Sequence, residues 1–283
     1  SRRRHTRYPL VTGVQTCALP IWLILDCRFD LGQPAAGEAA YAQGHLPGAR
    51  YVHLDRDLSA KRGAGAINGG RHPLPARETI AARFGALGVG DDTQVVLYDA
   101  SGGTYAARAW WMLRWIGHAN VAVLDGGLPA WQRAGGALVT TVPVATAAQL
   151  TLKASLVGYV DATAVQANIA SAANTLIDAR GPDRYDGSAE TIDPVGGHIP
   201  GAINLPFAGN LDANGCFKPA EALRTRFAAA IGGKPVIHQC GSGVTACHNL
   251  LAMKHAGLPE GVLYGGSWSE WIEDPTRPRW TPA

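Results

Sequence analysis

Short apolar runs alternate with longer stretches of helical spacing along most of the chain. Leu23-Ile24-Leu25, Val95-Val96-Leu97, Leu176-Ile177 and Val236-Ile237 are unbroken and rich in β-branched residues. Runs of that kind read as strands buried on both faces of a parallel sheet. Between them, Tyr105 to Arg114 and Asn249 to His255 carry apolar residues at helical spacing. The second of these ends in Lys254 and His255 with Gly257 just beyond, a helix stop. Strands alternating with helices predict an α/β fold, a parallel sheet with helices on both faces. Trp110, Trp111 and Trp115 fall on the first helix and read as its core side.

The pattern occurs twice. Leu23 to Arg28 matches Thr175 to Arg180, and His45-Leu46-Pro47-Gly48-Ala49 matches His198-Ile199-Pro200-Gly201-Ala202. Val95 to Gly102 matches Val236 to Gly243, and Leu124 to Gly127 matches Leu263 to Gly266. Four blocks in one order make two copies of one domain. The expected division is a leader at 1–21, a first copy at 22–140, a linker at 141–155 and a second copy at 156–283. The copies differ at one telling place, where Asp99 in the first aligns with Cys240 in the second. The first copy also has a Gly-rich polar segment, residues 61–72, which reads as a loop placed to lie over the second copy's site. Residues 159–173 give the second copy a helix-like lead-in, whose place in the first is taken by the leader.

Composition narrows the partners. The net charge of +3 comes largely from Arg2, Arg3, Arg4 and Arg7, and no basic patch is interleaved with aromatics. Nucleic-acid binding therefore has no support. No apolar span is long enough to cross a membrane. The five cysteines are odd in number and irregularly spaced, which argues against a disulfide scaffold or a zinc site and suits a reducing, cytoplasmic setting. Residues 1–21 have no clean hydrophobic segment and resemble translated adapter sequence, so they are expected to be non-native or disordered and to pack little.

Cys240 stands where a strand ends and a loop leads into a helix. Side chains there enter the crevice in which open α/β sheets bind ligands. The helix offers its N-terminal amides, and Gly241 and Gly243 let the loop N–H groups converge. The hydroxyls of Ser242 and Thr245 add donors, and together these groups favour thiolate over thiol. The alternative is a buried cysteine acting as a small apolar residue.

Cys240-Gly241-Ser242-Gly243-Val244-Thr245, with Asp178-Ala179-Arg180, Gly197 to Ala202 and Gly265-Gly266-Ser267-Trp268, resembles the two-domain rhodanese-type sulfurtransferases over residues 22–272. The resemblance implies tandem rhodanese-like domains, the first non-catalytic and the second carrying a persulfide on Cys240. It implies no metal and no organic cofactor, a small-molecule sulfur donor, and a thiol, thioredoxin or cyanide as acceptor. A neutral Gly-Ser-Gly after the cysteine is similar to the 3-mercaptopyruvate-preferring branch, whereas the thiosulfate-preferring branch, the alternative, tends to have cations there. The resemblance assigns the donor carboxylate to Arg184, which otherwise would pair with Asp183 or Asp186. The branch's second arginine, a few residues before the Gly-His-Ile-Pro-Gly block, is missing from residues 189–196. A proton relay maps onto Ser242, His72 and Asp55, the last two of which would otherwise only pin the long loop. Gly241, Gly243, Val244 and Thr245 would cradle the persulfide. A phosphatase of the same fold would need an arginine closing the loop, and residues 241–253 contain none. A third possibility is a sulfur carrier or binding module without turnover.

Overall fold

The computed structural model describes residues 22–60 and 65–281. The leader assigned to residues 1–21 lies outside them. The first copy contains strands β1 (Trp22–Asp26), β2 (Arg50–Tyr51), β3 (Gln94–Tyr98) and β4 (Val121–Val123). Its helices are α1 (Ala36–Gln43), α2 (Arg77–Ala86), α3 (Ala106–Trp115) and α4 (Gly127–Arg133). The strands form one parallel sheet in the order β2-β1-β3-β4.

The second copy opens with β5 (Gly158–Val160) and α5 (Ala162–Ser171), followed by β6 (Thr175–Asp178), α6 (Pro182–Tyr185) and β7 (Ala202–Asn204). After a 3-10 turn at Phe207–Asn210 come α7 (Ala220–Ile231), β8 (Val236–Gln239), α8 (Thr245–His255), β9 (Val262–Tyr264) and α9 (Ser267–Trp271). Its sheet is parallel, in the order β5-β9-β8-β6-β7. With β1 matched to β6 and β3 to β8, the order is that of the first copy plus the edge strand β5.

Alternation along each strand explains the two-sided burial. Leu176 and Ile237 pack with Ala162 and Val165 of α5 and Trp268 and Trp271 of α9. Their neighbours Ile177 and Val236 face the other way, onto Leu223 and Phe227 of α7 and Ala252 and Met253 of α8. In the first copy Leu25 and Leu97 meet Phe84 of α2 and Met112 of α3, while Ile24 and Tyr98 meet Leu128 and Trp131 of α4. Helix α8 stops at Gly257, whose φ of +71° few other residues adopt.

The repeated Asp-x-Arg blocks are scaffold. Arg28 forks Asp26 at 2.6 Å and donates to the Gly44 carbonyl, and Arg180 forks Asp178 at 2.7 Å and donates to the Gly197 carbonyl. The copies also share a core. Trp110, Trp111 and Trp115 of α3 are buried in a cluster that continues into Ala179, Cys240, Val244, Cys247 and Leu250 of the second copy. Residues 134–157 run extended over the first copy, where Val139 pairs with His45 and the Lys153 N–H donates to the Ile116 carbonyl at 3.0 Å. Among the described residues no helix is long and apolar enough to cross a membrane.

Candidate active site

Cys240 follows directly on β8, which lies between β6 and β9 in the sheet. The loop is Cys240 to Val244, and Thr245 begins α8. Its curl depends on Gly243, with φ of +74°, where a Cβ would collide with the Gly265 carbonyl. The turn after β9 holds the loop from behind. The Cys240 N–H donates to Ser267 Oγ at 3.1 Å, and the Cys240 carbonyl accepts from the Trp268 N–H at 3.0 Å. The N–H groups of Gly241 to Thr245 have no acceptor among the described residues. Cys240 is only 1% exposed, yet it lines a cleft of about 80 Å³. The other wall belongs to the first copy, with Leu31, Leu54, Arg71, His72, Thr104 and Tyr105.

In the first copy the matching place holds Asp99. Its Oδ1 accepts from the N–H groups of Ser101 at 2.8 Å and Gly103 at 2.9 Å. Its Oδ2 accepts from Tyr105 at 2.8 Å and Ala106 at 3.0 Å. A strand–loop–helix turn of this repeat thus gathers its amides around one anion, here supplied by the chain itself.

Ser242, His72 and Asp55 come together across the two copies. His72 Nδ1 lies 2.7 Å from Ser242 Oγ, and His72 Nε2 lies 3.3 Å from Asp55 Oδ1. Burial pushes the His72 imidazole below its ordinary pKa, against the opposing pull of Asp55. The hydrogen bond from His72 holds the Asp55 carboxyl below the usual carboxylate range. A neutral His72 beside an ionised Asp55 carries its proton on Nε2, which leaves Nδ1 to accept from the Ser242 hydroxyl.

Arg184 lines the same cleft but does not pair with Asp183 or Asp186, the neighbours considered from sequence. Its Nε donates to both Glu190 oxygens at 3.0 Å and its Nη2 to Asp193 Oδ2 at 2.8 Å. The other Asp193 oxygen takes Nη1 of Arg71, so one carboxylate joins arginines from both copies. Burial opposes ionisation of Glu190, but the N–H groups of Asp193 and Ile192 and the Arg184 guanidinium outweigh it and keep its carboxyl low.

Residues 14–134 and 161–274 each match the family described as Rhodanese-like domain. The chain belongs to the rhodanese family. A probable 3-mercaptopyruvate sulfurtransferase of Pseudomonas aeruginosa is 47% identical to it, over 95% of this chain and 96% of that one. A putative thiosulfate sulfurtransferase of Mycobacterium tuberculosis is 42% identical, over 90% of this chain and 89% of that one. Among solved structures, a 3-mercaptopyruvate sulfurtransferase of Escherichia coli superposes with a TM-score of 0.76 at 33% identity, covering 89% of this chain and 94% of that one.

Two arginines of this rhodanese pair were not singled out from sequence. Arg71 sits in the polar loop, and its N–H donates to Ser269 Oγ at 3.0 Å, which docks the loop on α9. Arg108, fully buried on α3, donates through Nη1 to the Gly243 carbonyl at 2.9 Å and through Nη2 to the His72 carbonyl at 3.0 Å. One guanidinium of the first copy thereby braces both the Cys240 loop and the His72 backbone. The available signal was an arginine inside an otherwise apolar helix, Ala106-Ala107-Arg108-Ala109-Trp110. Cys247 is a structural thiol, with Sγ 3.3 Å from the Gly243 carbonyl and its pKa pushed up to about 12 by burial. His45 and His198 bond backbone carbonyls at 2.8 and 2.9 Å and stack on Tyr41 and Tyr185, the same arrangement in both copies.

Proposed function

We propose that the protein is a sulfurtransferase that takes the sulfane sulfur of 3-mercaptopyruvate onto Cys240 and passes it to a thiophilic acceptor. The observation that carries this reading is a single cysteine lining a cleft, in a loop that itself bears no cation, with Arg184 in the same cleft. The relative from Pseudomonas aeruginosa, matched over nearly the whole of both chains, supports the same donor.

In the first step the Cys240 thiolate attacks the donor sulfur. A sulfur–sulfur bond forms, the donor's carbon–sulfur bond breaks, and its electron pair leaves with carbon as the enolate of pyruvate. The proton from the donor thiol passes through Ser242 and His72 to the enolate, with Asp55 holding the imidazole. The persulfide anion rests against the N–H groups of Gly241, Gly243, Val244 and Thr245. A thiol, thioredoxin or cyanide then removes the outer sulfur in ping-pong order. A cytoplasmic setting agrees with four unpaired cysteines among the described residues.

A second reading, thiosulfate as donor, is favoured by the relative from Mycobacterium tuberculosis. Measuring kcat/KM for both donors on the purified chain separates the two. The expected result is a preference for 3-mercaptopyruvate that is lost in Cys240→Ser. A higher value for thiosulfate moves the assignment to the second reading, and turnover that survives Cys240→Ser removes both.

A further inference from the structure

We infer that Arg71, from the copy without the cysteine, joins Arg184 in a clamp that spans both domains and grips the carboxylate of the sulfur donor. The inference rests on the sulfur-transfer reading above and names the group that selects its donor.

Both guanidiniums lie against Gly241, the residue after the nucleophile. A Cβ placed there would be 3.1 Å from Arg71 Nη2 and 3.2 Å from each of Arg184 Nη1 and Nη2. A side chain at this position would press on both arginine heads, which glycine leaves undisturbed. Each head is held from behind. Arg184 spends Nε and Nη2 on Glu190 and Asp193, and Arg71 spends Nη1 on Asp193. Glu190 and Asp193 are buried beneath the arginines, with side chains 4% and 3% exposed. Among the described residues Arg184 Nη1 and Arg71 Nη2 have no acceptor, and both stand at Gly241.

Arg184 Nη1 and Arg71 Nη2, charged donors from the two copies held in place by the acids beneath them, are suited to the two oxygens of one carboxylate. Residues 189–196 supply acids here, Glu190 and Asp193, and no arginine. These acids recruit an arginine from the other copy. The end of the polar loop delivers Arg71 to the carboxylate and His72 to Ser242 in consecutive positions. Asp193 is a positioning residue, since it orients both arginines and stays beneath them.

The test is steady-state kinetics of Arg71→Gln and Arg71→Lys with 3-mercaptopyruvate. A second donor, an alkyl persulfide without a carboxylate, loads Cys240 by simple exchange with release of the alkyl thiolate. Arg71→Gln should raise KM for 3-mercaptopyruvate about 10- to 100-fold with kcat within about threefold, as for one lost charge-assisted contact. Arg71→Lys should fall between it and wild type. The kcat kept within about threefold is what a structural loss at the neighbouring His72 would not allow, and the KM for the alkyl persulfide should rise far less than that for 3-mercaptopyruvate. An unchanged KM in Arg71→Gln, with wild type active, overturns the clamp and leaves sulfur transfer standing. A wild type inert toward 3-mercaptopyruvate overturns the proposed donor, and calorimetry with pyruvate then decides the clamp. Binding about tenfold weaker or more in Arg71→Gln sustains it, and equal binding or none in both proteins overturns it.

Discussion

His72 Nδ1 lies 2.7 Å from Ser242 Oγ, and the two residues come from different copies of the repeat. The contact therefore exists only when the first copy docks on the second. If this contact moves the proton that the pyruvate enolate needs, Ser242→Ala and His72→Asn should each lower kcat with 3-mercaptopyruvate about 100-fold. The double variant should be little worse than either single one, because the two act as one unit. Stopped-flow measurement of pyruvate release checks this, and additive losses in the double variant would contradict it.

The acid limb of kcat should report His72. In the proposed relay the neutral imidazole accepts the proton, and burial holds its pKa below the ordinary 6.5. Activity should therefore persist as pH falls through that value and decline only below it. Asp55 opposes the effect of burial on His72. Asp55→Asn should thus move the limb to still lower pH while reducing the plateau. A kcat profile of both proteins checks the sign, and a limb moving upward in the variant would contradict the relay.

Asp99 should matter to stability and not to chemistry. Its carboxylate satisfies four N–H groups of the loop that opens α3. Asp99→Ala leaves these without their acceptor and should lower the unfolding free energy by about 2–4 kcal/mol. Sulfur loading of Cys240, per folded molecule, should stay near wild type. Urea unfolding together with active-site titration separates the two effects.

Arg108→Lys should slow turnover with either donor. The ammonium keeps the charge but cannot fork to the Gly243 and His72 carbonyls together. The expected loss in kcat is about tenfold, from a cysteine loop and a His72 no longer braced by one group. An equal kcat would show that the shared apolar core alone aligns the two copies.

The repeat, the parallel sheets and the Cys240 loop were legible because each is written locally. Val236-Ile237 announces a buried strand, Gly243 a left-handed turn, and Lys254-His255 before Gly257 a helix end. The two Asp-x-Arg blocks could be recognised as scaffold because Arg28 and Arg180 repeat each other. Contacts between the copies left no such mark. Arg108 meets Gly243 across 135 positions, and Arg71 meets Asp193 across 122. Spacing along the chain carries no information about pairs so distant. Arg184 shows the same limit at short range. Its neighbours Asp183 and Asp186 share the short helix α6 or its end, while Glu190 and Asp193, further along, curl back beneath it. Of the two roles the sequence offers Ser242, a donor to the sulfur and a member of the relay, its hydroxyl takes the second position, against His72.

The most direct test of sulfur transfer is the intact mass of the protein after brief exposure to 3-mercaptopyruvate without an acceptor, followed by peptide mapping. The wild type should gain the mass of one sulfur atom, located on the Cys240 peptide and lost on adding cyanide, and Cys240→Ser should gain nothing. An unchanged mass, or a sulfur found on another cysteine, would contradict the central claim.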